Sequence, residues 1–281
     1  MSNTESEIEV ETSQRQGSLR PPITVIGAGS WGTALAIQLA RAGSQVTLWG
    51  RDEALMRQLK KDRNNERYLP GSVFPDELTV ESDWDSAVGN ARRILISVPS
   101  HAFRQVLEQL KATQGNKLKD LELAWATKGF ELSTGLLPHQ LAHQLLPECE
   151  NYAVISGPTF ALEVGAGLPT AITVAGSNPE WSARMAEALR TRNFIAYTSD
   201  DMVGVEIGGA VKNALAIGAG LSDGLGFGAN ARIALINRGL RELSRLGLAM
   251  GAKAETFVGL AGMGDLVLTC TDNQSRNRRM G

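Results

Sequence analysis

The sequence predicts an α/β protein in two parts: a doubly wound parallel sheet over residues 21–199, then an all-α part over 200–281. Three observations predict it. Short apolar, β-branched runs alternate with helical spacing from Ile23 to Tyr197. The first run ends in glycines at G-x-G-x-x-G spacing. After Ser199-Asp200-Asp201 strand patterns stop and helical spacing takes over, with many small residues.

Bulk properties narrow the function classes. A chain of 281 residues, 43% hydrophobic and 21% charged, has enough apolar content for a large core. A net charge of -2 gives no field for nucleic acid or an anionic membrane surface. The two cysteines, Cys149 and Cys270, stand far apart, as expected of a reducing compartment. Residues 1–20 carry Glu5, Glu7, Glu9 and Glu11 without a basic start or apolar core, so they read as a disordered tail and not a signal peptide. The most apolar stretch, 207–221, is interrupted by Lys212 and Asn213, so no membrane span is expected. A cytoplasmic protein is the expectation.

Ile23 to Ile26 is the first buried strand, and each glycine after it has its own task. Gly27 allows the tight turn, Gly29 lets the backbone approach a pyrophosphate, and Gly32 packs the following helix on the sheet. The helix N-terminus offers free N–H groups to that pyrophosphate, which makes the sheet Rossmann-like and the cofactor a dinucleotide. The helix runs from Thr33 to Arg41, and Gln45 to Trp49 is the second strand. At its end, where an acid would hold a ribose 2′-OH, stand Gly50-Arg51-Asp52. Arg51 suits a 2′-phosphate and favours NADP, while Asp52 leaves NAD open.

A charged helix is expected over 53–67, then the turn signals Pro70-Gly71 and Pro75 and a short strand at Leu78 to Val80. Ile94 to Val98 is a buried strand, with Ser100 placed to cap the helix through Phe103 and Leu110. Pro99 to Phe103 should lie near the cofactor, at a strand's carboxyl end. His101 there reads as a solvated residue. Leu121 to Ala126 ends in Thr127-Lys128-Gly129, which points an ammonium into the crevice. His139 and His143 stand four apart with no third ligand, so they read as surface histidines and no metal is expected.

Ala153 to Ile155 leads into Gly157-Pro158-Thr159, with Thr159 a plausible N-cap. Thr170 to Val174 and Phe194 to Tyr197 follow, separated by a helix that starts at Pro179. In the helical part, Lys212 and Asn213 interrupt an apolar helix; a buried lysine there is costly unless it is paired or functional. A loop is expected at 222–231, a helix at Leu240 to Leu248, and the glycines Gly262 and Gly264 before Asp265. The final Ser275-Arg276-Asn277 supplies charge, a bidentate fork and neutral donors suited to a phosphate monoester.

Several segments in this order resemble the bacterial-type NAD(P)-dependent glycerol-3-phosphate dehydrogenases. They are Gly-Ala-Gly-Ser-Trp-Gly-Thr-Ala (27–34), Val-Pro-Ser-His (98–101), Trp-Ala-Thr-Lys-Gly (125–129), Ile-Ser-Gly-Pro-Thr-Phe-Ala (155–161), Gly-Gly-Ala-Val-Lys-Asn (208–213), Ala-Gly-Met-Gly-Asp-Leu (261–266) and Thr-Asp-Asn-Gln-Ser-Arg-Asn-Arg-Arg (271–279). The resemblance implies interconversion of dihydroxyacetone phosphate and sn-glycerol 3-phosphate with NADP(H), or NAD(H), feeding glycerophospholipid synthesis. It makes Lys212 the acid-base residue, with Lys128 and Asp265 as its partners. It implies substrate contacts at Gly157, Thr159, Ser275, Arg276 and Asn277. Cofactor contacts fall at Ser30, Trp31, Arg51, Lys128, Ala161 and Arg276, beside Gly27, Gly29 and Gly32. The helical domain of that family continues beyond the position of Gly281, so a C-terminally short version is expected. Small-residue helices leave room for a homodimer. The alternatives are a reductase of another small hydroxy or keto acid, and a non-catalytic NADPH-binding protein.

Overall fold

The computed structural model describes residues 20–281. The expected acidic tail therefore lies, through residue 19, outside the described residues. The main sheet contains β1 (Arg20–Ile26), β2 (Ser44–Trp49), β5 (Leu78–Glu81), β6 (Arg93–Ile96), β7 (Glu122–Trp125), β8 (Asn151–Ser156), β9 (Thr170–Gly176) and β10 (Phe194–Ser199). A separate hairpin pairs β3 (Asn64–Asn65) with β4 (Leu69–Val73). The helices are α1 (Ser30–Arg41), α2 (Glu53–Asp62), α3 (Trp84–Val88), α4 (Ser100–Gln114), α5 (Pro138–Leu145), α6 (Ala161–Ala166), α7 (Pro179–Leu189), α8 (Met202–Gly224), α9 (Gly228–Ala249), α10 (Ala254–Val258), α11 (Asp265–Thr271) and α12 (Arg276–Met280).

The strand order is β10-β9-β8-β7-β6-β1-β2-β5. Strand β1 pairs in parallel with β2 on one side and β6 on the other, so the order of winding reverses at its carboxyl end. Ligands bind at such a reversal. At the centre of the sheet both faces are buried, whereas edge strand β10 exposes Ile195 and Tyr197. Ile23 and Val25 join α1 and α7 in one core, while Ile26, Ile94 and Trp125 join Phe103 of α4 and Leu141 of α5 in the other. Alternation along a strand sends successive side chains to opposite faces, which is why β1 is apolar almost throughout.

The expected sheet was parallel, and here the structure differs. Strand β9 runs antiparallel to β8, with Val154 opposite Ala175, and β10 then runs parallel to β9. The connection over residues 157–169 carries only a short helix. Helix α6 has 6 residues and spans about 9 Å, too little by itself to carry the chain back along β8 for a parallel return. Helix α7, with 11 residues, is long enough to make β9 and β10 parallel. The reversal has a consequence for the site. Strand β10 delivers the chain to the sheet edge away from the crevice, and α8 runs back, reaching Lys212 about 15 Å from its start.

Local corrections follow from tertiary contacts. The charged helix ends at Asp62, where Arg63 takes a left-handed φ of 55° and its guanidinium holds the carbonyls of Leu78 and Pro75 at 2.7 and 2.6 Å. The expected loop at 222–231 shrinks to residues 225–227 between α8 and α9. Ser100 is the first residue of α4 and makes no capping bond, and Phe160, not Thr159, stands at the N-cap of α6. Phe103 is buried in the core and does not face the crevice. His139 is not a surface residue: its side chain is 24% exposed and bonded to buried Glu206, whereas His143 is exposed.

Candidate active site

A cleft of about 710 Å³ opens where the loops after β1, β6, β7 and β8 meet α8 and the α11–α12 segment. Gly29 to Gly32 line it from β1, Ser97 to Pro99 from β6, Ala126 to Lys128 from β7, and Thr159 to Leu162 from β8. Lys212 and Asn213 enter from α8, and Thr269 and Gln274 to Asn277 close the opposite wall. A second hollow, lined by Lys111, Lys119 and Glu148 among others, lies toward the amino end of β7, away from these loops.

The three glycines of the first loop separate by function. A Cβ on Gly27, whose φ is +118°, would lie 2.3 Å from the Ser97 carbonyl oxygen. One on Gly32 would lie 1.9 Å from the Gly27 oxygen, so both glycines are required by packing. A Cβ on Gly29 would meet nothing within 4 Å, and its φ of -76° suits any residue. Its freedom serves only an incoming ligand. Helix α1 starts at Ser30 with no side-chain cap, leaving its first N–H groups for an anion. Trp31 lines the cleft with its Nε1 buried and unpartnered, an orphan donor that a bound group would satisfy. These features fit a dinucleotide. Buried Asn65 holds the loop in place, donating to the Ala28 carbonyl at 3.0 Å and to Thr33 Oγ1 at 2.8 Å. Sequence reasoning missed it, because Asn64-Asn65 lies in a charged run.

The deepest part of the cleft holds two lysines on one aspartate. Lys128 Nζ donates to Asp265 Oδ2 at 2.8 Å, and Lys212 Nζ donates to Oδ1 of the same carboxylate. Asp265 is 1% exposed and Lys212 is 8% exposed. Burial lowers the Lys212 pKa to about 7, with Lys128 adding to the fall and Asp265 resisting it. Burial by itself would raise Asp265; the two lysines overcome it and hold the carboxylate below its usual range. An ammonium near neutrality at the base of a cleft can give and take a proton. Gly209 lets Lys128 lie against α8: a Cβ there would be 3.2 Å from Lys128 Cδ.

The far wall is built by α12. Ser275 Oγ caps it, accepting from Arg278 N at 3.2 Å, and Asn277 Nδ2 donates to Asn213 Oδ1 at 2.8 Å. Arg278 is held on Asp223 Oδ2 by Nε at 3.0 Å and Nη2 at 2.5 Å, while Arg232 takes Oδ1 at 2.7 Å. A Cβ on Gly220 would stand 1.9 Å from the Arg278 carbonyl oxygen, so α8 needs glycine where α12 crosses it. Arg276 lines the cleft and is exposed.

The structure thus brings together Gly29, Ser30, Trp31, Gly32, Lys128, Thr159, Ala161, Lys212, Ser275, Arg276 and Asn277, with Asp265 directly beneath the lysines. Three expected residues stand apart from the lining. Gly27 turns behind the loop, and Gly157 packs on β9, where a Cβ would be 3.0 Å from Ile172 Cα. Arg51 is exposed past the carboxyl end of β2, and Asp52 beside it caps α2 by accepting from Leu55 N at 3.0 Å. The lining also includes Arg67, Tyr68, Thr269 and Arg279, which the sequence reading did not select. Arg67 and Tyr68 come from the β3–β4 turn, and a turn inside an expected helix carried no signal for them. Among the described residues no group of three or more His, Cys, Asp or Glu is placed to hold a metal ion.

The NAD-dependent glycerol-3-phosphate dehydrogenase N-terminus model matches residues 22–182, and the C-terminus model of the same description matches 201–281. The chain is 56% identical over 262 residues to glycerol-3-phosphate dehydrogenase (NAD(P)+) of Pseudoalteromonas translucida, covering 92% of this chain and 77% of that protein. It is also 56% identical to the protein of that name from Shewanella frigidimarina, over 92% of this chain and 76% of the relative. The crystal structure of glycerol-3-phosphate dehydrogenase from Coxiella burnetii superposes with a TM-score of 0.88 at 46% identity, over 93% of this chain and 79% of the other.

Proposed function

The chain belongs to the NAD-dependent glycerol-3-phosphate dehydrogenase family, and from that premise we propose how its cleft residues divide the work. It is an NAD(P)-dependent oxidoreductase that interconverts dihydroxyacetone phosphate and glycerol 3-phosphate. The observation that carries the assignment of roles is the pair of lysines on buried Asp265.

NAD(P)H, when bound, supplies the hydride that reduces the C2 carbonyl. Lys212 holds the proton that the C2 oxygen takes up as it becomes an alcohol, and in oxidation it takes that proton back. A pKa near 7 lets one group serve both directions. Asp265 fixes the Lys212 ammonium in place. Lys128 keeps a second positive charge beside the oxygen that becomes negative, and it drains Lys212 of basicity.

Ser275, Arg276 and Asn277 take the phosphate of the substrate, with the Arg276 guanidinium as the charged partner. Thr159 orients the remainder, and Gly157, set back against β9, shapes the turn that presents it. Gly27, Gly29 and Gly32 with Ser30 and Trp31 seat the pyrophosphate end of the cofactor, and Ala161, Lys128 and Arg276 meet it further along. Arg51, at the carboxyl end of β2, would hold a 2′-phosphate there, and a guanidinium in that place favours NADP. Residues 21–199 form the cofactor domain and 200–281 the substrate domain in this reading. The product would supply the glycerol phosphate backbone of lipids in the cytoplasm, a placement that the free, buried Cys149 and Cys270 support. A homodimer also belongs to the proposal. The glycines Gly208 and Gly220 give it no support, since they pack on Ala261 and Arg278 of the same chain.

The test is oxidation of NADPH by the purified chain with dihydroxyacetone phosphate, with NADH in parallel and an unphosphorylated keto acid as control. Turnover confined to the phosphorylated ketone, and faster with NADPH, is expected. Reduction of the keto acid instead, or cofactor binding without turnover, would overturn the assignment.

A further inference from the structure

Glu206 lies on α8, six residues before Lys212, and none of the motifs above includes it. Its carboxylate is 1% exposed. Oε1 accepts from Trp125 Nε1 at 2.9 Å and from the His139 backbone N–H at 3.0 Å, and Oε2 faces His139 Nδ1 at 2.5 Å. Trp125 is the last residue of β7, three before Lys128. His139 is in the first turn of α5. One carboxylate therefore ties together the helix that carries Lys212, the strand that aims Lys128, and a third element packed behind them.

Stability alone is a weak reason for such a group. Burial pushes the Glu206 pKa up, and the bonds from His139 and Trp125 only counter that push. A leucine of similar volume would avoid the desolvation, and apolar replacements of buried ionic groups often stabilise. A buried carboxyl group with two N–H donors on one oxygen and the His139 ring against the other does supply direction. Its partners fix the rotation of α8 about its axis and its height against β7, where apolar packing would allow several registers.

We propose that Glu206 is a positioning residue for the dehydrogenase reaction: held by Trp125 and His139, it sets α8 so that Lys212 meets Lys128 on Asp265. This rests on the role given to Lys212 above. The groups around the Lys212 ammonium are Lys128 from the loop after β7, and Asp265 and Cys270 from α11. A shift of α8 changes its distance to all three.

The decisive variant is Trp125→Phe, which keeps an aromatic ring and every charge but removes the N–H donor together with the five-membered ring that carries it; because Trp125 is fully buried, Tm is read beside it to register the void this leaves. Two further quantities are read: steady-state kinetics, and the pH dependence of Lys212 acetylation by acetic anhydride, followed by mass spectrometry. The expected result is a fall in kcat of about 10-fold, with the KM for dihydroxyacetone phosphate and the NADPH Kd changed by less than about 2-fold. The midpoint of Lys212 acetylation should move by about half a pH unit or more. Glu206→Gln keeps an acceptor for both N–H groups and should stay within about 3-fold of wild-type kcat, whereas Glu206→Leu should lose about 100-fold. If Trp125→Phe and Glu206→Leu lower only Tm, with kcat per folded molecule and the acetylation profile unchanged, Glu206 merely holds the fold and the proposal fails. Should Glu206→Leu not fold, Trp125→Phe decides. If the wild-type chain does not reduce dihydroxyacetone phosphate, the functional reading fails, and the acetylation profile still tests the positioning of Lys212.

Discussion

Lys128 and Asp265, 137 residues apart in the chain, meet at 2.8 Å beneath the cleft, and both act on the Lys212 ammonium beside them, Lys128 lowering its pKa and Asp265 raising it. With Lys212 on the other carboxylate oxygen, two positive charges face one negative charge in a place with little water. Losing one proton restores neutrality. The more buried lysine gives it up, since desolvation is the largest cause of its fall to about 7.

The pH dependence of the two directions should therefore be opposite. Reduction needs Lys212 protonated, so its kcat should fall about 10-fold per pH unit above about 7. Oxidation needs it neutral, so its kcat should rise to a plateau over the same range. Initial rates in both directions from about pH 6 to 9 check this. Parallel profiles would remove Lys212 from the proton-transfer role.

The same shift enters stability. Between about pH 7 and 10.5 the unfolded lysine binds a proton that the folded one has released, so unfolding free energy rises with pH across that window. Below about 7 both forms are protonated and the slope vanishes. Denaturant titrations of wild type and Lys212→Met should differ in this slope, the variant being flatter.

Lys212→Ala should lower kcat by about 10² to 10⁴ while the NADPH Kd stays within about 2-fold. Lys212→Arg should not rescue it, because a guanidinium holds its proton far above neutral pH. Near-normal turnover in either variant would contradict the mechanism.

The glycine loop offers a contrast between binding and folding. Gly29→Ala meets no neighbour, so Tm should be unchanged while the NADPH Kd rises at least about 10-fold. Gly32→Ala drives a methyl into the Gly27 carbonyl and should cost about 2 kcal/mol or more in stability. Calorimetry with cofactor titration separates the two.

Arg276→Ala should raise the KM for dihydroxyacetone phosphate by about 10-fold or more with a smaller change in kcat. Asp223→Ala frees Arg278 and loosens α12, so it should raise the same KM and lower Tm as well. An unchanged KM in both would move the phosphate away from α12.

The residues that line the cleft were largely visible in advance, because each sits in a local context that is costly without a purpose. Lys212 breaks an apolar helix, Lys128 and the first glycines follow buried strands, and Ser275-Arg276-Asn277 gathers phosphate donors. Their supports were not visible. Asn65 reads as one polar residue among many, yet it pins the Ala28 carbonyl. Glu206 and His139 look unremarkable in sequence and become informative only when Trp125, 81 residues away from Glu206, is seen to donate to it.

By itself, the sequence determined most strands of the main sheet and most of the longer helices, where the dinucleotide turn stands, and which side chains carry charge into apolar surroundings. Period, turn chemistry and composition are local, and each can be read within a short window. Only the tertiary structure decided the direction of β9, the convergence of Lys128 and Lys212 on Asp265, and the near-neutral titration that results. Strand direction depends on how a connection packs against the rest of the sheet, and a pKa depends on burial and on charges brought near by folding. Neither quantity belongs to any one segment of the chain.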